Sequence, residues 1–183
     1  YYNRISGTCP TGPGSTTACD FTSYGLTEET RSQIDTVTWK LGGSSSFTSS
    51  SNGLASHWYT YERGTTVYTG RPTEWQGKVG LMYPSDYGYA TSGGSTTNRN
   101  SCLSKDLYHW DGTSSYGDCV YNDWLFNSGN YQWILTPNAS DSDRVFSIGS
   151  LGAVYNARAN DKYAVRPSVY LITSTAILGG EGT

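Results

Sequence analysis

Between Gly77 and Tyr83, apolar Val79, Leu81 and Tyr83 alternate with Lys78, Gly80 and Met82. That period of two predicts a strand, and Pro84 ends it. Upstream the spacing is helical. Ile34, Val37 and Leu41 fall on one face of a predicted helix from Thr27 to Leu41. Thr27 would cap it, Glu28 and Glu29 would meet its positive end, and Gly42-Gly43 would stop it. A second, shorter helix is expected over Leu54 to Glu62, with Leu54, Trp58 and Tyr61 on one face and Gly64 as its stop. The Ser-rich run from Gly43 to Asn52 reads as a loop or tether, and Ser85 to Asn100 as a long loop.

Strand signals dominate the last third. They fall at Gln132–Leu135, Arg144–Ile148, Ala153–Asn156 and Val165–Ile172, with Ser150-Leu151-Gly152 as a hairpin turn. Pro167 cannot donate to a ladder, so the last strand should lie at an edge or carry a bulge. Early helices followed by short irregular strands and long polar loops predict an α+β fold. The expected organisation is an N-terminal segment over 1–25, one domain over 26–178 and a Gly-rich linker over 179–183. Met82 is the only methionine, so a leader or anchor is expected ahead of Tyr1.

Composition narrows the function classes. The chain has 183 residues, of which only 15% are charged, with a net charge of −3 and dispersed Lys and Arg. That excludes a basic nucleic-acid or anionic-membrane surface. No apolar run reaches the length of a membrane span, so contact with a membrane would come only through the missing N-terminal anchor. Sixteen Tyr and six Trp supply core area that the scarce aliphatics do not.

Four cysteines form two local couples, Cys9 with Cys19 and Cys102 with Cys119. Each couple encloses a turn-rich loop, so these two disulfides are the favoured pairing, with free thiols as the alternative. Neither His57 nor His109 stands at zinc-ligand spacing to a cysteine. Disulfides place the protein in an oxidising, extracellular setting.

Several separated motifs carry a resemblance: Trp39-Lys40-Leu41-Gly42-Gly43, Tyr61-Glu62-Arg63-Gly64, Gly77 to Tyr89, Asn122-Asp123-Trp124-Leu125 and Val165-Arg166-Pro167. Together they resemble secreted prepilin-like surface proteins of gut Firmicutes, over most of Leu26 to Thr183. The C-terminal half, with its tryptophan strand and closing Val-Arg-Pro, is similar to C-type-lectin-like domains of bacterial and phage surface proteins. Some of those are variable proteins diversified by retroelements. The resemblance implies a C-type-lectin-like fold, a cell-surface or pilus location and a ligand-binding face in the last third. It does not imply calcium-dependent sugar binding, because the sugar motif is missing.

The residues themselves point the same way. Two polar insertions, Asn138 to Arg144 and Asn156 to Tyr163, interrupt an apolar frame, the pattern of a scaffold that presents recognition loops. The candidate ligand-binding set is Trp133, Asn138, Ser140, Asp141, Asp143, Arg144, Tyr155, Asn156, Arg158, Asn160, Lys162 and Tyr163. Tyr offers rigid contact area at small entropic cost, and Arg supplies anchors. Asp141 and Asp143 suit calcium ligation, but loop solvation is favoured. Trp39, Trp58, Trp124 and Trp133 are expected in the core. Trp75 and Trp110 are expected there too, with an exposed sugar-stacking role as the alternative. Arg166, between Val165 and Pro167, is expected to pair with Asp123 or Glu62.

No nucleophile, base and acid stand at catalytic spacing, and His57 and His109 read as structural or surface residues. The expected function is therefore non-enzymatic binding of a protein or glycan ligand, without cofactor or metal. The alternative is a structural pilin-like subunit whose loops contact other pilus subunits.

Overall fold

The computed structural model describes residues 26–175. The Cys9 and Cys19 couple and the linker over 179–183 lie outside them. The described chain is α+β, with short helices and short antiparallel strands.

Thr27 does cap the first helix, its side chain accepting from the Thr30 amide, but α1 covers only Glu28–Ser32. The expected helix to Leu41 is corrected by strand β1, Val37–Lys40. The run Thr36-Val37-Thr38-Trp39 is β-branched and aromatic, which lowers helix propensity and suits a strand. Trp39 is buried while Thr38 and Lys40 are exposed, a period of two. The Trp39 indole Nε1 donates to the Gly77 carbonyl at 2.9 Å. β1 pairs antiparallel with β2, Glu74–Gly77, placing Trp39 opposite Trp75.

Helix α2, Ala55–Arg63, agrees with the sequence reading, and Gly64 follows it. The expected strand from Gly77 to Tyr83 shrinks to β3, Val79–Leu81. Simple alternation fails here because both faces are covered. Leu81 and Tyr83 enter a smaller hydrophobic cluster with Trp39 and Leu135, while Met82 enters the larger one. Gly80 lies against the Trp39 ring, where a Cβ would stand 2.6 Å from ring atoms. The expected loop over 85–100 is corrected by helix α3, Pro84–Tyr89, and the start of α4, Arg99–Leu103. Pro84 takes the first helical position, where its missing N–H costs nothing. Glu62 of α2 reaches this end: its carboxylate accepts from the Ser85 amide at 2.8 Å and the Ser85 hydroxyl at 2.5 Å.

Helix α5, Gly117–Tyr121, is joined to α4 by the Cys102–Cys119 disulfide. Strands β4, Gln132–Pro137, β5, Arg144–Ile148, and β6, Val154–Arg158, form an antiparallel sheet in that order. β4 carries an irregularity between Trp133 and Pro137. β7, Pro167–Val169, pairs with β3 in a two-stranded sheet, so Pro167 does sit on an edge. The sheet's inner face sends Ile134, Phe146, Ile148 and Val154 against Phe47, Trp58, Tyr87, Leu107 and Trp110. Phe47, inside the expected serine tether, meets Phe146 edge-on at 4.8 Å, and Trp58 meets it at 4.6 Å. Such edge contacts add about 0.5–1.5 kcal/mol each beyond area burial.

Trp110 is fully buried, whereas Trp124 is 70% exposed, which corrects its expected core position. It follows Asp123, whose carboxylate is buried and accepts from the Leu125 amide at 2.8 Å, so the chain turns outward there. Arg166 forms no ion pair with Asp123 or Glu62. It donates to the Leu125 carbonyl at 2.7 Å and acts on Asp123 only through its charge. Glu62 instead accepts a hydrogen bond from neighbouring Arg63 at 3.1 Å.

Burial pushes Glu62 up to about 8, against the hydrogen bonds from Ser85. It pushes Asp123 up to about 8 as well, against the Leu125 and Phe126 amides and the Arg166 charge. Both native carboxyls therefore keep protons that the unfolded chain releases near pH 4. Their contribution is fully present below that range and is lost as pH rises to 8. Stability should fall between pH 5 and pH 8 by on the order of a few kcal/mol, seen as a lower melting temperature. The double variant Glu62→Gln/Asp123→Asn should show a flatter profile in thermal denaturation. Parallel profiles for the two proteins would contradict this account.

The disulfide closes a loop with a sequence separation of 17. Replacing Cys102 and Cys119 together with Ala should cost roughly 3 kcal/mol in the chain-entropy picture, read by urea denaturation. An unchanged midpoint would show that packing alone holds the 102–119 segment.

Candidate functional site

The site is set by strand register. Trp133 of β4 lies opposite Ser147 of β5, and Ser147 opposite Tyr155 of β6. Those three side chains therefore stand side by side on the sheet's outer face. After β6 the chain returns along β4, where Gln132 and Ala164 form a parallel bridge. Trp133 N donates to the Ala164 carbonyl at 3.0 Å, and Ala164 N to the Tyr131 carbonyl at 2.8 Å.

This return places Tyr163 over both flanking aromatics. Its ring lies 5.0 Å from Tyr131 at 24° and 4.6 Å from Trp133 at 31°. Tyr155 meets Tyr131 edge-on at 6.3 Å, and its phenol oxygen stands 3.5 Å from that of Tyr163. Gly149 makes room for Tyr155, since a Cβ there would stand 2.9 Å from its ring. The result is an aromatic ridge of Tyr131, Trp133, Tyr155 and Tyr163. Tyr131 is 44% exposed and the other three are half-buried. Burial, then the neighbouring Tyr163 phenol, pushes the Tyr155 phenol above its ordinary value, so it stays a neutral hydrogen-bonding group.

The remaining candidates divide. Asn138 is buried, bridges to Ser44, and its carboxamide oxygen accepts from the amide and hydroxyl of Ser140 at 2.8 and 2.9 Å. It shapes its turn and does not face solvent, which corrects its place in the expected contact set. Arg144 pairs with Asp141 at 3.2 Å and donates to Asn156 at 3.0 Å. Asn156 adjoins Tyr155 in β6, so the two point to opposite faces. Arg144 and Arg158 share the Asn156 side, since Phe146 pairs with Asn156 and Arg144 with Arg158. Ser140, Asp143, Arg158, Asn160 and Lys162 are exposed at the end of the β5–β6 hairpin. Ala159 N donates to the Asp143 carbonyl at 2.7 Å, which holds the two polar turns together there. The expected single face is thus two surfaces: an aromatic ridge and a charged crest.

Asp141 Oδ1 accepts from the Asp143 amide at 3.4 Å, and its Oδ2 meets Arg144. Among the described residues no three His, Cys, Asp or Glu side chains converge in a metal-ligating group. His57 Nδ1 accepts from the Leu54 amide, and His109 Nδ1 meets Asp106 at 2.6 Å.

Tyr131 was not in the expected set. Its signal is the Tyr131-Gln132-Trp133 spacing, which places two aromatics on one face at the start of a strand. No family model, curated protein or solved structure matches this chain.

Tyr163→Ala removes two stacked contacts and should cost about 1–2 kcal/mol in denaturant unfolding, with a red shift of tryptophan emission as Trp133 is uncovered. Arg158→Ala on the crest should stay within about 0.5 kcal/mol of the parent. Equal losses for the two would show that the ridge is not a packed unit.

Proposed function

We propose that this domain is a non-enzymatic, extracellular ligand-binding module, adhesin-like, carried by a bacterial pilin-like or surface protein on a C-type-lectin-like scaffold. The observation that carries the reading is the pre-packed ridge of Tyr131, Trp133, Tyr155 and Tyr163. Half-exposed aromatics that hold one another in place lose little freedom on binding, as recognition surfaces require. The exposed crest of Ser140, Asp143, Arg158, Asn160 and Lys162 supplies polar and charged groups on a second surface of the same hairpin. Ser140, Asp143, Arg158, Asn160 and Lys162 are exposed while Ile134, Phe146 and Val154 are buried, and this division supports the reading as a diversified variable protein. The partner is a protein or glycan, not nucleic acid, and recognition proceeds by contact and hydrogen bonding without cofactor.

A second reading, a structural pilin-like subunit, draws on a different surface. Trp124, Val165, Val169, Tyr170 and Leu171 are exposed, and apolar surface of this kind serves assembly.

Beads carrying the domain should adhere to mucin-coated surfaces or to whole bacterial cells. Tyr131→Ala/Tyr163→Ala should abolish that adhesion while the far-ultraviolet circular dichroism is retained. Adhesion that survives the double variant would overturn the ridge as the binding face. Concentration-dependent self-association, lost in Trp124→Ala/Tyr170→Ala, would favour the subunit reading.

A further inference from the structure

Beside the ridge, and sharing Tyr155 with it, a solvent-open recess of about 400 Å³ is lined by Tyr108, His109, Asp111, Ala153 and Tyr155. Its volume falls within the range of small-ligand clefts, about 300–1,000 Å³. Its walls are built, not incidental. Leu107 and Trp110 are fully buried and pin the segment that carries Tyr108, His109 and Asp111. Val154 N donates to the Leu107 carbonyl and Gly112 N to the Leu151 carbonyl, each at 2.8 Å, which sets that segment's distance from the β5–β6 turn. The Cys102–Cys119 disulfide brackets the same segment. Tyr108 is held edge-on by Phe47 at 5.7 Å and stands perpendicular to His109.

The polar groups are oriented as well. Asp106, itself buried, accepts from the His109 backbone amide at 3.1 Å and meets Nδ1 at 2.6 Å. With Nδ1 engaged, Nε2 is the ring's remaining polar atom. Asp111 Oδ1 accepts from the Thr113 amide and hydroxyl, each at 2.8 Å, and these bonds hold the carboxyl below its ordinary range. Its Oδ2 is left to accept from a ligand. The recess therefore combines two aromatic walls, a fixed carboxylate, an oriented imidazole and two phenols, with Ala153 as its only aliphatic lining.

We propose that this recess binds a neutral saccharide. Tyr108 and Tyr155 pack against the C–H face of the sugar ring, while Asp111 Oδ2 and the free imidazole nitrogen of His109 hydrogen-bond its hydroxyls. A polyol satisfies those polar groups at once, which a hydrocarbon does not. An acidic sugar or phosphate brings negative charge toward Asp111 and is disfavoured. The proposal rests on the binding-module reading and names the ligand class for a recess adjoining its ridge.

The test is an amide chemical-shift titration of the full chain with the methyl glycosides of glucose, galactose, mannose and N-acetylglucosamine, and with N-acetylneuraminic acid as the acidic comparator. At least one neutral glycoside should shift the amides of 107–112 and 152–156 saturably, and the acidic sugar should not. His109→Ala and Asp111→Asn should each weaken that binding roughly tenfold. Absence of shifts with every neutral glycoside, equal binding of the acidic sugar, or unchanged affinity in both recess variants would overturn the proposal. If bead adhesion then still depends on Tyr131 and Tyr163, the binding-module reading stands without the recess. If neither adhesion nor any titration is seen, both fall.

Discussion

Strand β4 is the wall that two hydrophobic clusters share, and most of the structure depends on it. Ile134 faces the aromatic core around Trp58, Phe146 and Trp110, while the next residue, Leu135, faces the smaller cluster of Trp39, Leu81 and Tyr83. A strand cannot send neighbouring side chains in the same direction, so burying both requires packing on both faces. The end of β3 meets the same demand through Leu81 and the Met82 that follows it, and the Leu135 amide donates to the Met82 carbonyl at 2.9 Å. Slipping either strand by one residue would exchange the two clusters' contents, so the register is strongly specified.

The site inherits that register. Because Leu135 is held on the outer face, Trp133 two residues earlier is on it too, and Tyr163 has a ring to stack on. The same pleat turns Asn156 and Arg144 to the other side, where they bond each other. The aromatic ridge and the charged crest are thus separate surfaces of one hairpin, set by backbone geometry and not by composition. The recess shares Tyr155 with the ridge, so ridge and recess are mechanically continuous.

The buried carboxyls show a different constraint. Glu62 caps the first turn of α3 from a neighbouring helix, a long-range bond that satisfies the Ser85 amide at a helix end. Asp123 organises the turn that exposes Trp124. In both places a titratable group is held in the interior by hydrogen bonds from the backbone.

Local chemistry was legible along the chain. Thr27 as a cap, α2 with Gly64 after it, β5 at its full length, the edge position of Pro167 and the Cys102–Cys119 pairing all follow from neighbours within a few residues or one short loop. What misled was any signal that two periods explain equally. Ile34, Val37 and Leu41 fit a helix face, yet β1 forms because Trp39 finds Gly77 and Trp75 across a distant strand. Trp124 reads as core until the buried Asp123 beside it turns the chain outward. Phe47 was invisible inside its serine run, because only the aromatic core it enters gives it a place. Which segments are apolar, where the chain turns and which side chains are polar or aromatic are written in the sequence. Which of them share a face is set by long-range packing. That outcome depends on strand register and on the return of Ala164 along β4, and both are set by contacts between residues far apart in the chain.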